Sequence, residues 1–149
     1  MKRRRLGLML IAGLLGTTAG CKPKARPDQP DRGATILPIV VRTNEDSNAG
    51  RPVYVIIRAI DEKRFIEDSY VDVAALVIEP DDTVLATILA FPGGVVYREL
   101  ELSEVPEVIG VYCLFTKVDD GAWKVMLDKV AAVEVIVDVS AITAEEPAL

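Results

Sequence analysis

The sequence predicts a mainly β domain, a two-sheet sandwich with one short helix, preceded by an export signal and a flexible tether. Three observations predict it. Seven runs of five to nine residues rich in Val, Ile, Tyr and Thr recur between clusters of Gly, Pro, Asn and Asp. One stretch alone, near Ser69, changes to helical spacing. The N-terminus, charged and then apolar, matches neither pattern.

The chain opens on Lys2, Arg3, Arg4 and Arg5, continues with an apolar run over residues 6–15, and then carries Gly16, Thr17, Thr18, Ala19 and Gly20 before Cys21. This is the three-part layout of a cleavable signal. Ten apolar residues wound as a helix reach roughly 15 Å, half of a bilayer's hydrocarbon core, so the segment is a signal and not a permanent span. Ala19, Gly20 and Cys21 resemble the lipobox of bacterial lipoproteins, in which the cysteine is acylated and becomes the new N-terminus. Thr18 stands where those proteins usually have Leu. The expected organisation is a signal peptide at 1–20, an acylated Cys21 and tether at 21–34, a sandwich domain at 35–140 and an acidic tail at 141–149, disordered after Ile142.

The tether holds Pro23, Pro27 and Pro30 among charges and lacks apolar periodicity. At about 3.1 Å per residue it reaches about 35–40 Å. Beyond it the expected strands are 35–43, 53–60, 83–91, 95–102, 109–117, 123–127 and 133–139. Val133, Val135, Val137 and Val139 alternate with Glu134, Ile136 and Asp138, giving one core face. Pro38 removes a ladder donor, which predicts an edge strand or a bulge. Pro92-Gly93-Gly94 and Asp119-Asp120-Gly121 are expected to close two hairpins. Ser69, as an N-cap with Asp72 three residues on, predicts a helix over residues 69–76, with Tyr70, Val73, Ala74 and Val77 at helical spacing, while the β-branched Val71 and Val73 make a strand over residues 71–78 the competing expectation.

Past the signal, thirteen Lys and Arg face twenty-three Asp and Glu. Such a chain repels phosphate backbones, which excludes nucleic acid as a partner. The sequence has no histidine, the commonest general base and transition-metal ligand. Cys113 shares a strand face with Val111 and Phe115 and reads as a small core hydrophobe. Trp123, in register with Val125 and Leu127, reads as a buried core aromatic. Asn44, Glu45, Asp46, Ser47, Asn48, Ala49, Gly50 and Arg51 begin like a calcium loop, but the glycine comes one residue late and Val55 stands where a bidentate Glu is needed. They read instead as an exposed connection between strands that contributes little to the core. No catalytic constellation, metal site or cofactor is expected beyond lipid on Cys21, and the protein is not expected to be an enzyme.

The order of features resembles the TssJ lipoproteins of type VI secretion systems. Asn44 followed by Gly50-Arg51-Pro52 and a strand ending at Arg58, Phe65 with Tyr70 and Leu76, Pro92-Gly93, and Ile109-Gly110-Val111-Tyr112-Cys113 with Phe115 and Trp123-Lys124 carry the resemblance. Cys113 replaces the family's usual Ala, and Lys124 its usual Arg. The resemblance implies a transthyretin-like sandwich anchored in the outer membrane with its domain in the periplasm. Lys22 fits this placement, because the residue is not the Asp that commonly retains lipoproteins in the inner membrane. It also implies that the loop from Asn44 to Arg51 binds the periplasmic C-terminal domain of a TssM-like inner-membrane protein. A solute- or glycan-binding lipoprotein with the same architecture is the competing expectation, to be recognised by an enclosed pocket lined with aromatics.

Overall fold

The computed structural model describes residues 34–118 and 122–147. The signal, Cys21, the tether up to Gly33, and the turn at Asp119-Asp120-Gly121 lie outside the described residues. Among the described residues eight strands form two four-stranded sheets. They are β1 (Thr35–Thr43), β2 (Val53–Ala59), β3 (Val84–Ala90), β4 (Val95–Leu102), β5 (Val108–Leu114), β6 (Lys124–Asp128), β7 (Val133–Val137) and β8 (Ile142–Glu145). Sheet I has the order β4-β1-β7-β8 and sheet II the order β3-β2-β5-β6. All neighbours are antiparallel except β1 and β7.

The core lies between the sheets. Leu37, Ile39 and Val41 of β1 and Val133, Val135 and Val137 of β7 face Val53, Val55 and Ile57 of β2 and Ile109, Val111 and Cys113 of β5, all fully or almost fully buried. Each such aliphatic stabilises by about 1.5–3 kcal/mol relative to exposure. Period-two alternation puts these side chains on one face and leaves Val40, Arg42, Glu134 and Ile136 on the other.

A second, smaller apolar cluster covers the outer face of sheet II. Ile56 and Tyr112 point outward there and are buried by α1 (Glu62–Glu67) and α2 (Tyr70–Ala75), with Val73, Phe65 and Leu76 packed on them. Ser69 caps α2 as expected: its Oγ accepts from the Asp72 amide and donates to the Asp72 carboxylate at 2.6 Å. Asp61 caps α1 in the same way, accepting from the Arg64 amide at 2.7 Å. Lys124 closes the other end of α1, donating to the carbonyls of Phe65 and Asp68 at 2.6 and 2.9 Å.

Five expectations are corrected here. β1 is a central strand without a bulge: the amides of Thr43 and Asn44 point to β4 and β7 in turn, so Pro38 faces the β7 side, where the β7 ladder begins only at Ile39. The missing donor of Pro38 therefore interrupts nothing. The Pro92-Gly93-Gly94 turn is not a hairpin, because β3 belongs to sheet II and β4 to sheet I. β8 occupies residues expected to be a disordered tail, pairing with β7 and burying Ile142. α1 adds a helix that its sequence does not announce, since it fully buries no side chain and sets Phe65 only partway into the smaller cluster. Trp123 is half-buried: it precedes edge strand β6 and wedges between the two apolar clusters, 5.1 Å from the ring of Tyr70 and 5.7 Å from that of Tyr112.

Candidate functional site

The connection from β1 to β2, Asn44 to Arg51, is a short polar segment whose shape is fixed by hydrogen bonds to remote strands. Ser47 Oγ donates to the Val137 carbonyl at 2.7 Å, and the Asn48 amide donates to the Val139 carbonyl at 3.1 Å. The Asn48 side chain reaches both ways. Its Oδ1 accepts from the Thr116 amide at 2.7 Å and its Nδ2 donates to the Pro52 carbonyl at 2.8 Å. Asn44 receives the Gly93 amide on its carbonyl at 3.0 Å and reaches Asp138 with its side chain at 3.3 Å. The connection thus ties together the ends of β5 and β7 and the crossover from β3 to β4.

This corrects the expectation that the segment is wholly exposed. Ser47 and Asn48 are buried, whereas Glu45, Asp46, Ala49, Gly50 and Arg51 are exposed. Polar side chains go inward here because strand ends leave backbone groups without ladder partners, and these two side chains supply them. Asn48, Ala49 and Gly50 then adopt three successive left-handed conformations, with φ of 50°, 55° and 74°. Asn and Gly accept this region readily; Ala does so at a cost of about 1–2 kcal/mol. The turn leaves Ala49 exposed, with the exposed Glu45 and Asp46 before it in the chain and Arg51 after it.

Beside the turn lies a cleft of about 420 Å³ between Asn48, Ala49 and Arg51 on one side and Thr116, Lys117 and Val139 on the other. It has no aromatic lining residue. Phe91 and Val139, both exposed, stand at the same end of the sandwich. The arrangement offers a surface of mixed charge with apolar side chains between the charges. Cys113 lies beneath it, fully buried; burial pushes its thiol far above the ordinary range, which holds it as an unreactive core group.

Sequence reasoning missed a buried ionic cluster under the helices. Arg58, only 1% exposed, pairs through Nη1 with Asp68 at 2.5 Å and through Nη2 with Asp81 at 3.3 Å, while its Nε donates to Thr83 at 2.9 Å. Tyr112 donates its hydroxyl to the same Asp68 oxygen at 2.5 Å, and Arg64 reaches Asp81 at 3.2 Å. Burial first, and then this bond, push the Tyr112 hydroxyl well above its usual range. The sequence holds a signal for the cluster, an arginine within the apolar run of β2. What fixes its partners is the path of the chain through the helices.

The family described as "IglE, N-terminal domain" matches residues 54–139, more than half of the sequence. The chain belongs to this family. No curated protein sequence matches it. Its IglE-type domain has the fold of several solved type VI secretion proteins. The lipoprotein TssJ1 from Pseudomonas aeruginosa is similar with a TM-score of 0.64 and 15% identity, over 78% of this chain and 98% of that one. A chain of the structure described as the TssM C-terminal domain from EAEC gives 0.62 and 20%, over 76% and 98%. Serratia marcescens Lip, described as a membrane-bound component of the type VI secretion system, gives 0.56 and 13%, over 74% and 96%. The two-sheet architecture expected of a TssJ-like sandwich is the one observed.

Proposed function

We propose that this IglE-family chain is a docking lipoprotein of a type VI secretion membrane complex, and not an enzyme. Lipid on Cys21 holds it to the outer membrane, and its domain stands in the periplasm. There the loop from Asn44 to Arg51 binds the periplasmic C-terminal domain of a TssM-like inner-membrane protein.

The observation that carries this reading is the polarity of the domain. β1 begins at Thr35, the N-terminal end of the domain, and ends at Thr43, where the loop begins. Eight steps of about 3.3 Å along this nine-residue strand separate the two by about 26 Å. Within the domain the loop thus lies at the far end of β1 from Thr35, which leaves it clear of the domain's N-terminal end for a protein arriving from the opposite membrane. Similarity to solved lipoproteins of these systems supports the same reading. The cleft beside the loop, without aromatic side chains, gives no particular support to solute or glycan binding.

The test separates the exposed side chains of the loop from its buried ones. Replacing Glu45, Asp46, Ala49 and Arg51 by Ser while keeping Ser47 and Asn48 leaves the fold intact and weakens capture of the TssM-like periplasmic domain at least about tenfold, mostly through a slower, less salt-dependent association. Replacing Ser47 and Asn48 instead destabilises the domain, at about 1–3 kcal/mol for each buried partner left unsatisfied. Full affinity in the first variant would place the binding site elsewhere. For the anchor, Cys21→Ser abolishes acyl labelling and releases the chain from membranes; unchanged fractionation would sink the lipid assignment.

A further inference from the structure

We propose that the outward face of α2, with the turn that follows it, is a second docking surface, one that takes a basic amphipathic segment of another protein. A surface helix of this size ordinarily turns apolar residues inward and polar ones to water. α2 is apolar on both sides. Val73 is fully buried against Tyr112 and Ile56, yet Val71 on the opposite face is 76% exposed. Ala75, four residues on, is exposed as well. After Ala75 the chain tightens into turns in which Leu76, Val77 and Ile78 donate to the carbonyls three residues back. That spacing sets Ile78, 90% exposed, in line with Ala75.

Ala75, Ile78, Glu79, Pro80 and Asp81 line a shallow cleft of about 570 Å³ at the end of this stripe. The rim is acidic. Residues 65–82 include six Asp and Glu and neither Lys nor Arg. Asp68 is engaged inward by Arg58, and Asp81, at the cleft, is paired with Arg58 and the exposed Arg64, but Asp72, Glu79 and Asp82 stand exposed and are free of those pairs, next in the chain to Val71 and Ile78 or a few residues on.

Charge selects among the possible occupants. An anionic lipid surface is repelled by these acids and by a domain in which nine Lys and Arg face twenty-one Asp and Glu over residues 34–149. A second copy would bring the same acids against each other. An amphipathic protein segment with Leu-like side chains on one face and Lys or Arg beside them matches both the stripe and its rim. The surface stands on the outer side of sheet II, apart from the loop, so it serves a second contact and does not depend on the loop reading.

The probe is a short helical peptide of Leu and Lys at i, i+3, i+4 spacing, with a Leu/Glu peptide as its counterpart, titrated into the full-length chain. The Leu/Lys peptide binds, perturbs backbone amide resonances over residues 70–82, and loses affinity as salt rises. Val71→Asp with Ile78→Asp weakens binding at least about tenfold without moving the melting temperature, because both side chains already face water. Glu79→Gln with Asp82→Asn weakens it less and flattens the salt dependence. The loop variant Glu45→Ser with Arg51→Ser leaves it unchanged. Equal binding of the Leu/Glu peptide, unaltered binding by the Val71/Ile78 variant, association of this face with phosphatidylglycerol vesicles, or a dimer that the same variant dissociates would each overturn the proposal.

Discussion

In sheet I burial alternates residue by residue along β1 and β7, while in sheet II the central strands β2 and β5 are buried over four and five consecutive residues. Both sheets contribute one face to the same core, so the difference lies entirely on their outer faces. Among the described residues no element covers Val40, Arg42, Tyr97 and Glu134 on sheet I, and a mixed apolar and charged surface suffices there. Sheet II is roofed by α1 and α2, and its outer face carries Ile56, Tyr112 and the Arg58 cluster. The roof is small, with only Val73 fully buried from its side. Ion pairs and hydrogen bonds from Asp68, Asp81 and Lys124 add to apolar area in fastening it. A thin layer held by charge differs in kind from a thick core held by burial, and perturbations of charge tell the two apart.

The largest effect belongs to Arg58. Removing its guanidinium leaves Asp68 buried with only Tyr112 as a side-chain partner, so Arg58→Ala costs about 3–5 kcal/mol, measured by denaturant unfolding. A loss under about 1 kcal/mol would mean that the roof is held by its apolar contacts alone, and the contrast between the sheets would collapse.

Acid loosens the roof before the core. The Thr83 side chain first, then its amide and the guanidinium groups of Arg58 and Arg64, hold the Asp81 carboxyl below the ordinary carboxylate range. A depressed folded value means that the stabilisation is present above the unfolded pKa, near about 4, and is lost as pH falls through the folded value. Trp123, the single tryptophan, lies under the edge of the roof and reports on it directly. Its fluorescence changes at a higher pH than the far-ultraviolet signal of the strands. Coincident transitions would show that roof and core melt as one unit.

The same contrast explains what the sequence made legible. Sheet I could be read because water on one side enforces period two: β1 and β4 begin and end where their alternation does, and Val133, Val135 and Val137 mark β7. In sheet II the run Val108–Leu114 identifies a strand, but its continuous apolar character also signals a covered outer face, and that covering holds α1, which the sequence does not mark. Glu62–Glu67 has no apolar stripe to find because Phe65 alone packs on the smaller cluster and no residue is fully buried; its position comes from Asp61 at one end and Lys124 at the other. β8 escaped because only Ile142 and Ala144 turn inward, among acids that suggest a solvated tail. At the candidate site the exposed charges were legible, whereas the buried places of Ser47 and Asn48 depend on Val137, Val139, Thr116 and Pro52, partners that local sequence does not name.

The smallest effect tests sheet I. Arg42 on β1 and Glu134 on β7 form an ion pair at 2.6 Å across its outer face, geometrically as close as the buried pair of Arg58. Distance alone would rank the two together. Exposure separates them: the Arg42 side chain is half open to water, where two charges gain little and solvent screens what they gain. A double-mutant cycle with Arg42→Ala and Glu134→Ala therefore gives a coupling of about 0.2–1 kcal/mol that fades as salt is added. The sharper reading is the ratio, since the same cycle on Arg58 and Asp68 gives a coupling several times larger that salt hardly moves. If the Arg42 pair instead couples by 2 kcal/mol or more on the order of a buried pair, the outer face of sheet I is shielded in solution by another molecule, and the difference drawn between the two sheets belongs only to the isolated chain.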